Sequence, residues 1–160
     1  RVARVLVEHG GEFEHGYTYS GHPVACAVGL ANLDLIEQQG LVDRVREDTG
    51  PHLAEQLAKL ADHPVVGEVQ SCGLMAAIQL CRDAATREAF APEVAIGMVC
   101  RRHCFDNGLV MRAVGDRMIV APPLIMTREQ VDEMCGLIRQ ALDRTYAEAR
   151  ESGWVARAPS

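Results

Sequence analysis

At 160 residues, 48% of them hydrophobic, the chain can bury one respectable core and is expected to fold into one or two compact units. A net charge of −6 with no Lys/Arg-rich block argues against a phosphate-backbone partner, so no nucleic acid is expected. No apolar run approaches the roughly 20 residues that cross a bilayer, and the first eight residues lack the apolar stretch of a signal peptide, so no membrane association and a cytoplasmic location are expected.

The chain opens on Arg1 rather than methionine and its first segment has no preceding cap or partner element, which reads as a fragment. Gly10 and Gly11 lead into a polar and aromatic loop over residues 12–22, with Gly16, Ser20 and Gly21 as turn formers. Pro23 suits the first turn of a helix and Gly40 its end. The body, residues 24–37, is apolar around most of its circumference, which predicts a helix buried between other elements. Residues 41–60 carry Leu41, Val42, Val45, Leu53, Leu57 and Leu60 at helical spacing among charges, an amphipathic surface helix that Gly50-Pro51 should kink or divide.

Residues 65–70 and 74–80 read as strands joined at Ser71-Cys72-Gly73. A helix is expected over residues 93–107 through Val94, Ile96, Met98, Val99 and Phe105, with Asn107-Gly108 at its end. Two further strands, residues 109–113 and 118–121, flank the hairpin-turn pair Gly115-Asp116, and Pro122-Pro123 stops the pairing. Thr127 and Gln130 form a capping-box pattern before a long helix with Val131, Met134, Cys135, Ile138, Leu142 and Tyr146 on its buried face. Residues 151–160 lose the pattern and are expected to be a mobile tail. Without βαβ alternation or a Gly-rich loop, the latter part reads as a small α+β layer.

Six cysteines form no CxxC pair and sit in apolar surroundings, which predicts buried thiols. Cys100 and Cys104 lie four apart with His103 adjacent, but a third and fourth ligand at sensible spacing are missing, so no metal is expected.

Two places could carry chemistry. The run from His15 to Pro23 packs hydroxyls, histidines and glycines ahead of a helix, where free amides and the helix dipole favour an anion such as phosphate; the plainer alternative is that Ser20 or Thr18 merely caps the helix. Arg112 falls inside an apolar strand, where a guanidinium needs a partner. A ligand carboxylate and an acidic side chain of the protein are equally good readings.

The segment His15-Gly-Tyr-Thr-Tyr-Ser-Gly-His-Pro-Val-Ala-Cys-Ala27 resembles the cofactor loop and following helix of class III aminotransferases, specifically the ω-amino acid:pyruvate or amine:pyruvate branch. Residues 108–127 resemble that branch's substrate-arginine strand, hairpin and final-helix start, and the likeness runs from about Val5 to Tyr146. His22 stands where the branches that handle ornithine or glutamate semialdehyde usually have asparagine, which favours the pyruvate-coupled branch.

The resemblance implies a fold type I PLP-transferase, α/β with an α+β C-terminal part. Residues 1–40 would end the large cofactor domain, residues 41–150 would form the small domain with a short antiparallel sheet packed on helices, and residues 151–160 the tail. It implies pyridoxal 5′-phosphate as cofactor, with Thr18 and the backbone near Tyr17 reaching the phosphate in the neighbouring subunit's site, and Tyr19 lining the same pocket on the substrate side. Arg112 would bind the carboxylate of the amino donor or of pyruvate and swing away for an amine. The partners implied are an amino acid or amine, pyruvate, and a homodimer or a tetramer built from it. The family's chemistry needs a lysine that links covalently to the cofactor, and the only lysine here, Lys59, lies off the apolar stripe of its helix, so this segment alone is expected to be inactive. A noncatalytic α+β binding or assembly module derived from the same fold is the alternative.

Overall fold

A computed structural model of the chain describes residues 2–11 and 16–155, which fall into two compact units that divide between Gln39 and Gly40.

Among the described residues, the first unit holds two helices. The opening segment forms α1, Val2–His9, closed by a hydrogen bond from the Gly10 N–H to the Leu6 carbonyl. Helix α2, Pro23–Gln38, starts at the expected proline. The cap is His22, whose Nδ1 accepts the Ala25 N–H at 3.4 Å, and not Ser20 or Thr18. The expectation of a buried helix is not met within this chain: no residue of α2 is buried, and Val24, Val28, Leu30, Leu33 and Leu35 are exposed. A helix apolar on every side needs apolar surfaces on several sides, and the described part of its own unit offers only one further helix of eight residues.

Gly40, with φ +57, adopts the left-handed conformation that stops α2. In the second unit, the stretch expected as a helix kinked or divided at Gly50-Pro51 is three pieces: α3, Leu41–Arg44, a π-helical turn, Val45–Thr49, and α4, Gly50–Ala58, which begins at the expected place. Pro51 cannot donate to Glu47 and its ring would press on that carbonyl; the wider π turn, in which the Gly50 N–H reaches the Val45 carbonyl, takes up the mismatch without a break. Leu41, Leu53, Leu57 and Leu60 are buried as expected.

Strands β1, Val66–Cys72, and β2, Met75–Leu80, form the first hairpin, and β3, Arg112–Val114, and β4, Arg117–Val120, the second. Both use two-residue turns whose first residue is a glycine at positive φ, Gly73 at +58 and Gly115 at +56, the backbone that matches strand twist. Pairing of β2 with β4 joins the hairpins into one antiparallel sheet of order β1-β2-β4-β3. Met118 and Ile78, partners in register, are buried on the helix-covered face together with Val120, Ala76 and Leu80.

The helix expected over residues 93–107 is interrupted. A 3-10 turn, Pro92–Val94, gives way at Ala95, in the left-handed region at φ +48, to α5, Ile96–Asp106. The buried side of α5 is Ile96, Gly97, Cys100 and Cys104, while Met98 and Phe105 are exposed. Helix α6, Arg128–Glu151, has the capping box between Thr127 and Gln130 and buries Val131, Met134, Cys135, Ile138 and Leu142, with Tyr146 packed at the margin.

Helix α6 lies alongside the α4 run. Asp48 pairs with Arg128, His52 with Asp132, the Lys59 carbonyl with Arg139 and His63 with Asp143, each pair 80 residues apart. A constant offset with both numbers rising means that the two stretches run parallel. The expected tail is not loose at its start: Gly153 turns the chain at φ +71, Trp154 packs against the core and Val155 is buried, while residues 156–160 lie outside the described residues.

Candidate functional site

The Tyr17–His22 turn is held by its own backbone. The Ser20 N–H donates to the Tyr17 carbonyl at 2.9 Å, the His22 N–H to the Tyr19 carbonyl at 3.3 Å, and the Tyr17 N–H to Ser20 Oγ at 2.8 Å. The Tyr17 amide, one of the groups named for the phosphate, is thus engaged inside the turn. Thr18, at its apex, is exposed and makes no hydrogen bond with any other described residue, so its hydroxyl and N–H remain available as neutral donors. Tyr19 is exposed as well. His15, at the start of the matched segment, lies outside the described residues.

Arg112 begins β3, an edge strand of the sheet. Its register partner is Ile119, and the neighbouring pair Ala113 and Met118 turns into the core, so the alternation of the pleat puts Arg112 on the uncovered face. The sequence left two readings open there, and the structure offers no acidic side chain to Arg112 among the described residues. Its surroundings are less buried than expected: Arg112 and Val114 are exposed and Ala113 half-buried. Burying a guanidinium without a partner is costly, so an unpaired one stays in solvent.

The hairpin beneath Arg112 is fixed from the other side. An ideal Cβ on Gly97 would come 2.1 Å from the Gly115 carbonyl oxygen, so α5 approaches the β3–β4 turn as closely as only a glycine allows. Burial in that turn lifts the Asp116 carboxyl above the usual carboxylate range, with a hydrogen bond from the Gly97 N–H opposing the shift.

Lys59 is a surface residue: its Nζ donates to Gln56 Oε1 at 2.9 Å and lies 3.6 Å from Glu55. Of the cysteines, Cys81, Cys100, Cys104 and Cys135 are buried, whereas Cys26 and Cys72 are exposed, against the expectation for all six. Cys26 belongs to the unburied α2, and Cys72 ends β1 at the hairpin turn. His103 pairs with Glu148 at 2.9 Å.

Sequence reasoning missed Arg117. It follows the two-residue turn directly, opposite Val114, and therefore shares the uncovered face with Arg112. The alternation and the turn length carried that signal. Arg117 rims a concavity of about 310 Å³ lined by Glu68, Gln70, Ala77 and Gln79.

The model of the family described as aminotransferase class III matches residues 2–142. Putrescine–pyruvate aminotransferase of Pseudomonas aeruginosa is 48% identical over 142 residues, covering 89% of this chain and 31% of that protein. Diaminobutyrate–2-oxoglutarate transaminase of Halomonas elongata is 43% identical over 158 residues, 94% of this chain and 34% of that protein. Among solved structures, the PMP-bound aminotransferase from Vibrio fluvialis superposes with a TM-score of 0.80 at 35% identity, covering 91% of this chain and 32% of that one. The (S)-enantioselective omega-transaminase from Thermomicrobium roseum gives 0.80 at 36% identity, covering 90% and 32%. The chain spans about a third of the length of these relatives. Its fold is the one expected, that of fold type I transaminases, and no described helix is long and apolar enough to cross a membrane. The match to the family model over most of the chain places it in the class III aminotransferase family.

Proposed function

We propose that the full protein containing this chain is a cytoplasmic, homodimeric aminotransferase that moves an amino group from an ω-amino acid or amine to pyruvate, and that this segment alone is inactive. The observation that carries the reading is Arg112, a guanidinium with no partner among the described residues, on the uncovered face of the sheet in the hairpin that α5 approaches closely. Kinship to a putrescine–pyruvate enzyme at 48% identity supports the amine donor and the pyruvate acceptor.

Relatives solved in PLP- and PMP-bound forms support pyridoxal 5′-phosphate as the cofactor. The Thr18 turn fits the phosphate end of that group, because an exposed apex hydroxyl and N–H without internal partners can converge on a dianion without a neighbouring cation. When bound, the cofactor supplies the carbonyl that takes up the amino group and the electron sink that lets the donor's Cα–H break. Thr18 would donate to phosphate oxygens, with Tyr17 and Tyr19 lining the cavity of a neighbouring subunit. Arg112 would hold an acceptor or donor carboxylate by two parallel hydrogen bonds. When the donor is an uncharged amine, its long side chain can leave the pocket. We read residues 1–40 as the end of the cofactor domain and residues 41–150 as the small domain. The exposed apolar helix α2 then finds its cover in the remainder of the protein.

The test is alanine formation from putrescine or β-alanine and pyruvate by the full-length protein. Thr18→Ala should weaken cofactor binding in a spectral titration, and Arg112→Ala should raise the KM for pyruvate roughly 10–100-fold, the cost of losing a charge-assisted carboxylate contact. Transamination by the 160-residue chain alone would refute the reading.

A further inference from the structure

Most arginines of the second unit are committed. Arg46 pairs with Asp43, Arg82 with Glu88, Arg87 with Glu68, Arg102 with Glu148, Arg128 with Asp48 and Arg139 with Asp62. Arg44 donates to the Met126 carbonyl, Arg101 lies over the Phe105 ring and Arg150 over that of Tyr146. Arg112, Arg117 and Arg144 have no such partner among the described residues, and the first two both stand on the uncovered face of one short hairpin. With Arg112 opposite Ile119 and Arg117 two residues earlier, the two are diagonal cross-strand neighbours, about 7–8 Å apart at the backbone and within joint reach of side chains this long.

The nearest acid on that face does not neutralise them. Glu68, two strands away in the row Arg117–Gln79–Glu68, accepts from Gln70 at 2.8 Å and lies 3.6 Å from Arg87. Gln79 donates to the Leu80 carbonyl at 3.0 Å, and its side chain brings no charge. The concavity beside Arg117 thus has a neutral floor, an acid already paired, and one uncompensated cation at its rim. A single carboxylate needs one fork. Two forks a diagonal apart suit a molecule with two carboxylates joined by a short chain.

We propose that Arg117 is a second carboxylate-binding residue, which takes the distal carboxylate of a 2-oxo dicarboxylate while Arg112 holds the nearer one, so that the acceptor range includes diacids as well as pyruvate. The proposal rests on the reading of Arg112 as the carboxylate holder. No bond is made or broken at Arg117; it sets affinity and selectivity.

The test uses the full-length, cofactor-loaded protein. The acceptor reaction is followed against pyruvate and against 2-oxoglutarate, and the binding of glutarate, which does not react, is measured by calorimetry. Arg117→Gln is expected to raise the KM for 2-oxoglutarate and the Kd for glutarate roughly 10–100-fold, the loss of one charge-assisted contact, while the KM for pyruvate stays within about twofold. Arg117→Lys should recover part of the diacid affinity, because a point charge without the planar fork still attracts a carboxylate. A wild-type protein that neither uses 2-oxoglutarate nor binds glutarate would overturn the proposal. So would an Arg117→Gln protein with an unchanged 2-oxoglutarate to pyruvate ratio, even one that melts earlier. Arg112→Gln should impair both acceptors; if it impairs neither while Arg117→Gln behaves as expected, the reading of Arg112 fails and the pairing of the two arginines with it, although Arg117 is then still a carboxylate contact.

Discussion

His63 and Asp143 tie the turn after α4 to the far part of α6, with His63 Nε2 3.2 Å from Asp143 Oδ1 and only 2% of the histidine side chain exposed. The Val65 N–H donates to His63 Nδ1 at 3.3 Å, which assigns the proton of the neutral ring to Nε2. Burial pulls the His63 pKa below its usual 6.5, and the Asp143 hydrogen bond and charge only partly offset this. Arg139 lowers it further and Asp62 raises it. Protonation would also turn the Val65 amide from partner to clash, since Nδ1 would then carry a hydrogen.

The sign of the pH dependence follows. The unfolded chain takes up a proton near pH 6.5 and the folded one only below that, so the stabilising contribution is complete above 6.5 and is lost as pH falls through the lowered folded value. Urea midpoints should therefore decline from pH 7.5 to 5.5, and His63→Gln should flatten that slope. An equal slope in the variant would show that other groups carry the effect.

Gly97 and the Gly115 carbonyl set the spacing between α5 and the hairpin that carries both arginines. Gly97→Ala puts a methyl 2.1 Å from a backbone oxygen that has no flexible side chain to move aside. The helix and the β3–β4 turn must part. Overpacking of this kind costs about 1–3 kcal/mol, and chemical denaturation would read it. The full-length variant should also bind carboxylates less tightly, since Arg112 rides on the displaced strand.

What the sequence revealed depended on the range of the interactions. The Gly115-Asp116 turn, the Thr127 capping box and the buried face of α6 are written within a few residues of each other and were legible; the first hairpin was legible too, but its turn is Gly73-Leu74 and not Ser71-Cys72-Gly73. The union of the two hairpins through β2 and β4 was not, because the register Ile78 with Met118 joins residues 40 positions apart and leaves no local mark. The π turn before Pro51 and the left-handed Ala95 were hidden for a different reason: apolar spacing passes through each as though the helix were continuous. At the site, the residue types of Thr18 and Arg112 were informative. Whether Arg112 had an acidic partner could only be answered by three-dimensional neighbours, and Arg117 went unseen until its register with Val114 was known.

Ala95 occupies the left-handed region at φ +48 and also stands as the N-cap of α5, with no side chain able to hold a helix N–H. Both circumstances penalise alanine: the Cβ is strained there, and alanine is a poor cap. Ala95→Gly relieves the first and improves the second, against the greater freedom of glycine in the unfolded chain. A net gain of about 0.5–1 kcal/mol is expected, seen as a higher denaturation midpoint with an unchanged slope. A lower midpoint would mean that the Ala95 methyl contributes packing that the backbone argument omits.

The cysteines offer a check on both units in one experiment. Cys26 and Cys72 are exposed, while Cys81, Cys100, Cys104 and Cys135 are buried. Reactivity follows the thiolate and its access. Burial holds the Cys81 thiol above its usual value, and Cys135 is pushed to about 11 by burial and by the Asp132 charge. Cys104 is raised by its contact with Cys100 and by burial, and it also donates to Met111 Sδ at 3.7 Å; the same contact lowers Cys100, which is kept from a reagent by burial alone. Brief treatment of the folded 160-residue chain with a maleimide near neutral pH should therefore add two labels, located by peptide mass at Cys26 and Cys72, and denaturant should release the other four. Rapid labelling of Cys104 or Cys135 in the native chain would contradict the packing of α5 and α6. Protection of Cys26 would show that α2 finds a cover even in this segment, for instance by pairing with a second copy of itself.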